Sequence, residues 1–150
     1  RLADMRGYAY DRSDVTCRSL ANAYAQTLGT IFTETAKPYE VEIVVAEIGD
    51  TAATDQIYRL TFDGSVSDEH GYVAMGGSAE RLATGLAADW REGLELAEAL
   101  GIAVQHLARD TGEEGRQLPS GQLEAAVLER SRPNRKFRRL AMADLDQLLA

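Results

Sequence analysis

Apolar residues return every three or four positions from Cys17 to Phe32: Cys17, Leu20, Ala21, Tyr24, Leu28, Ile31 and Phe32. That period puts them on one stripe of a helix. It predicts a helix over 14–34, with Ser13 or Asp14 placed to accept hydrogen bonds from the free amides of the first turn. Gly29 weakens this helix slightly and marks close packing. Lys37-Pro38 stops it, because proline biases its predecessor away from helical angles.

The period then drops to two. "YEVEIVVAEIG" (39–49) reads as a strand with Val41, Ile43 and Val45 on one face. Its other face, Glu40, Glu42, Val44 and Ala46, turns apolar toward the end and is expected to be covered there. "DTAATD" (50–55) reads as a loop. "QIYRLTFDGS" (56–65) alternates again through Tyr58, Leu60 and Phe62. Asp63-Gly64 signals a hairpin of type I′, which needs positive φ at both central residues. The returning strand runs from about Val66 to Met75, giving a meander of three antiparallel strands.

Helical periods follow. Ala79, Leu82, Ala83, Leu86 and Trp90 form one stripe, Gly93 breaks the chain, and Leu96, Ala97, Leu100, Val104 and Leu107 form a second. A polar loop covers 109–121. Strands are expected over 122–130 and 136–140, and a helix over 141–150 through Met142, Leu145, Leu148 and Leu149. Strands and helices are grouped rather than alternating, which argues for an α+β fold with an antiparallel sheet carrying helices.

Composition narrows the function. A chain of 150 residues has the length of one domain with a real core. Its net charge of −8 argues against a nucleic-acid partner, although "RSRPNRKFRR" (130–139) concentrates basic residues. That run holds a single aromatic, Phe137, so the interleaved stacking of single-strand binders is missing, and a partner contact or solvated edge is the better reading. The one cysteine, Cys17, excludes an internal disulfide, fits a reducing compartment and sits where a buried small side chain belongs. No apolar run approaches the roughly 18 residues that would span a bilayer. There is no signal peptide and no initiator methionine, and residues upstream are expected.

The candidates for chemistry are few. Gly76-Gly77-Ser78 stands between a strand-like run and a helix, where phosphate cradles and nucleophile turns also stand. It lacks the Lys-Ser or Lys-Thr of a Walker loop, the dinucleotide fingerprint and the G-x-S-x-G elbow. The reading is a sharp turn made by glycines, with Ser78 capping the helix that starts at Ala79. His70 and His106 belong to no ligand pair, and one cysteine supplies no zinc site. His106 sits near a helix C-terminus, where partial positive charge is favoured. Asp63, Asp68, Glu69, Asp110, Glu113 and Glu114 lie in turns, where carboxylates are solvated. No cofactor is expected.

Several stretches resemble one family. "DMRGYAYDRSDVTCRSLANAYAQTLGTIFTETAKPYEVEIVVAEIG" (4–49), "IYRLTFDGSVSDE" (57–69), "VAMGGSAERLA" (73–83) and "LEAAVLERSRPNRKFRRLAMADLDQLL" (123–149) are similar to proteasome core-particle α subunits of the actinobacterial kind. The motif positions are Tyr24, Gln26, Gly29, Pro38, Tyr39, Asp63, Gly64, Gly76, Gly77 and Ser78. The resemblance covers nearly the whole chain and is weakest at 50–56 and 110–121.

The resemblance implies a single domain with a four-layer α/β/β/α sandwich of the N-terminal-nucleophile type, incomplete at its N-terminus. It implies a cytoplasmic, non-catalytic subunit. Seven such subunits form an outer ring, template the β subunits, gate entry of protein substrates and dock a ring-shaped AAA ATPase. Peptide hydrolysis in this family belongs to β subunits with an N-terminal threonine, and this chain begins with Arg1. Those subunits resemble one another in a Gly-Ser-Gly corner beside the nucleophile; here Gly77 holds the serine's place and Ser78 is shifted by one. Asp110-Thr111-Gly112 resembles a β-subunit active-site loop only superficially. The lysine of the ATPase-tail pocket falls in the segment expected upstream. Two alternatives stay open: a catalytic β-type relative whose nucleophile lies upstream, and a free-standing module that binds polyanions through 130–139.

Overall fold

Thr16 is the residue that starts the long helix. Its extended backbone (φ −98°, ψ 152°) lets its side chain accept a hydrogen bond from the Ser19 amide. The structure, a computed structural model, describes residues 1–109 and 117–150. The chain divides into two compact units, Arg1–Val73 and Ala74–Ala150.

The first unit opens with a helix that the apolar pattern had not delimited, α1 (Leu2–Ala9). A short 3-10 turn at Arg12–Asp14 follows, closed by the Asp11 amide donating to the Asp14 carboxylate and by the Ser13 amide and hydroxyl donating to the Asp11 carboxylate. The helix expected over 14–34 is α2 (Cys17–Glu34). Neither Ser13 nor Asp14 caps it, because the intervening turn consumes the first of these residues and the Asp14 side chain.

Three antiparallel strands come next: β1 (Ile43–Glu47), β2 (Gln56–Leu60) and β3 (Val66–Glu69), in that order across the sheet. The meander matches the alternation of the sequence. Its strands are shorter than the alternation, and residues 70–75 are not a strand. The registers Val45↔Tyr58↔Asp68 and Ile43↔Leu60↔Val66 turn one face of the sheet toward α2. Cys17, Ala21 and Leu28 of α2 bury against Tyr58 and Leu60 there, with Ala25, Ile43 and Val45 at the margin. On the other face Ala46 is exposed, so the apolar end of that face is not covered as expected. Arg59 sits there between Glu42 and Glu69, 3.8 Å from each carboxylate.

In the second unit, α3 (Ala79–Asp89) packs on α4 (Leu96–Arg109), and α4 packs on the last helix, α5 (Met142–Leu149). Gly93, at φ +79°, breaks the chain between α3 and α4 as read. The two last strands are β4 (Ala126–Leu128) and β5 (Phe137–Arg139), an antiparallel pair far shorter than expected. Leu145 of α5 and Leu140 before it are buried, as is Ala108. Asp110, Thr111, Gly112, Glu113 and Glu114 lie outside the described residues.

Candidate functional site

The motif residues Tyr24, Gln26, Gly29, Pro38, Tyr39, Asp63 and Gly64 fall in the first unit and Gly76, Gly77 and Ser78 in the second. In the first unit, Gly29, Asp63 and Gly64 meet where the β2–β3 turn lies on α2. Gly64 has φ +88°, and a Cβ there would stand 2.7 Å from the Ala25 carbonyl oxygen and 2.9 Å from the backbone of Gly29. Glycine is required at Gly64 on both counts. The turn is not type I′, since Asp63 does not have positive φ. The Gly64 amide donates to the Thr61 carbonyl (3.0 Å) and the Thr61 amide to the Ser65 carbonyl (3.1 Å), a three-residue loop ending in one left-handed glycine. The Asp63 carboxylate selects this form by accepting from the Thr61 hydroxyl and from the amide and hydroxyl of Ser65. Those hydrogen bonds, from Thr61 first, hold its carboxyl below the ordinary range. Phe32 and Phe62 close the junction edge to face, 5.7 Å apart. Tyr24, Gln26 and Tyr39 are exposed and Pro38 is half-buried, all outside this junction's contacts.

A contact with no signature in the sequence lies at the other end of α2. The Cys17 amide donates to the Glu47 carboxylate, and the Cys17 thiol donates to the Val45 carbonyl at 3.1 Å. An acid at the N-terminus of a helix also complements the helix dipole. Burial, then the negative charge of Glu47, push the Cys17 thiol up from 9.0 to about 11. Cys17 is therefore a buried packing residue and an unreactive thiol, in line with its place on the stripe. The unfolded thiol ionises first as pH rises. Between about pH 9 and 11 the unfolded state binds fewer protons, so stability falls through that window and is complete below it, by about 2 kcal/mol. Urea midpoints measured from pH 8 to 11 are expected to fall less steeply in Cys17→Ala than in the parent. Coincident slopes would contradict this.

The corner at 76–78 belongs to the second unit. Gly76 has φ +99° and accepts from the Ala79 amide, so glycine is called for at that one position. A Cβ on Gly77 would meet nothing within 4 Å. Ser78 occupies the capping position of α3, and its carbonyl accepts from Leu82. Its side chain makes no capping hydrogen bond, which corrects the role read from the sequence. The reason is its backbone: ψ 16° departs from the extended geometry that brings a side-chain oxygen over the first-turn amides, the geometry Thr16 has. Ser78→Ala is accordingly expected to change stability by less than about 0.5 kcal/mol, while Thr16→Ala costs about 1 kcal/mol. Chemical denaturation of the two variants checks the order; a larger loss at Ser78 would contradict it.

Ser78 lines an open cavity of about 390 Å³ with Gly77, Glu80, Arg81 and Thr84. His106 is engaged elsewhere, with Nε2 2.8 Å from the Asp89 carboxylate and its ring seated on Gly85, linking α4 to α3. His70 is exposed in the first unit. Among the described residues no group of three or more His, Cys, Asp or Glu is arranged to hold a metal ion. No described helix is long and apolar enough to cross a membrane.

The basic run is sorted by the β4–β5 hairpin. Arg138 pairs with Glu129 at 2.6 Å and reaches Asp144 at 3.5 Å; Arg132 lies 3.6 Å from Glu129. The Lys136 ammonium donates to the carbonyls of Arg130 (2.7 Å) and Arg132 (3.2 Å). Much of the positive charge is thus spent inside the hairpin, which weighs against a nucleic-acid surface.

A meander of three antiparallel strands packed on a long helix in the first unit, and three helices with an antiparallel hairpin in the second, define an α+β protein. The family description "Proteasome subunit" matches residues 3–127, and the chain belongs to the proteasome subunit family. Among its relatives, "Proteasome subunit alpha" of Kineococcus radiotolerans is 59% identical over 100% of this chain and 65% of its own length. "Proteasome subunit alpha" of Thermomonospora curvata is 61% identical over 100% of this chain and 64% of its own. That of Streptomyces avermitilis is 59% identical over 99% of this chain and 60% of its own. The chain thus spans 60–65% of the length of these relatives.

Proposed function

We propose that the chain is an α-type subunit of a bacterial proteasome core particle, acting in the cytoplasm without catalytic residues of its own. Seven copies form an outer ring that templates the β ring, gates the entry of protein substrates and receives a ring-shaped AAA ATPase. In this reading the two units belong to one domain of the four-layer sandwich, and the family-motif residues shape it rather than react. Threonine-type peptidase activity resides in the β partner.

The observation that carries the reading is identity of about 60% to α-named relatives across practically the whole chain. The glycine at the serine's place in the corner agrees with it. The test is a peptidase assay on the complete gene product assembled with its β partner. Removing the β N-terminal threonine is expected to abolish hydrolysis, and Ser78→Ala to leave it unchanged. Loss of hydrolysis from an intact Ser78→Ala assembly would overturn the reading.

A further inference from the structure

We draw no further inference here: the strongest candidate, the open cavity beside the N-terminus of α3 lined by Ser78, Arg81 and Thr84, is a helix N-terminus at which no second feature among the described residues points to a ligand.

Discussion

Gly64→Ala is expected to lower stability by about 3 kcal/mol. Two costs add. The left-handed φ of +88° costs a side-chain-bearing residue about 1 kcal/mol or more. The new Cβ would also stand 2.7 Å from the Ala25 carbonyl and 2.9 Å from the Gly29 backbone, atoms of a rigid helix that give way only by lifting the turn off α2. Gly29→Ala is the informative comparison. Its Cβ would lie 3.7 Å from the Asp63 carbonyl, an ordinary contact, and alanine is the better helix former. Thermal melts should show a fall of about 10 °C for Gly64→Ala and little change for Gly29→Ala. Equal falls would mean that the turn does not rest on the helix as described.

Leu60→Ala is expected to cost 2–5 kcal/mol, within the range of buried leucine truncations. Leu60 is 0% exposed and lies at the centre of the first unit's core. Rigid neighbours surround it, Tyr58 on its own strand and the Ala21 and Leu28 stripe of α2, so the cavity can collapse only in part. Leu60→Met should cost under about 1.5 kcal/mol, because it conserves volume. Phe62 continues the same alternation but is 45% exposed, and Phe62→Ala should cost less than Leu60→Ala despite the contact with Phe32. Urea denaturation of the three variants distinguishes these; a milder loss at Leu60 than at Phe62 would place the core elsewhere.

The contrast between Leu60 and Phe62 shows how far the pattern could be read. Alternation revealed which face of β2 is apolar, and Tyr58 and Leu60 are buried on it. It could not reveal where the strand stops, since Asp63 bends the chain through side-chain hydrogen bonds that periodicity does not record. The stripe on α2 behaved likewise: Cys17, Ala21 and Leu28 are buried, while Tyr24 and Phe32 on the same stripe are more than 40% exposed. The role of Ser78 differs from the sequence reading for a reason of backbone geometry. Serine, threonine and aspartate cap only when the backbone is extended, and the residue type does not specify ψ. The Cys17–Glu47 contact joins residues 30 apart, and no local signal announces it. The family was legible in the motifs around Gly29, Asp63-Gly64 and Gly76-Gly77-Ser78, where turn geometry constrains residue type most tightly.

In the proposed function the complete gene product builds a ring and leaves hydrolysis to its β partner. Electron microscopy of the complete gene product co-expressed with its β partner tests that most directly. Barrels with seven-fold outer rings of this subunit, and peptidase activity gained only with an intact β threonine, are the predicted result. Absence of seven-fold rings, together with no gain of peptidase activity, would contradict it.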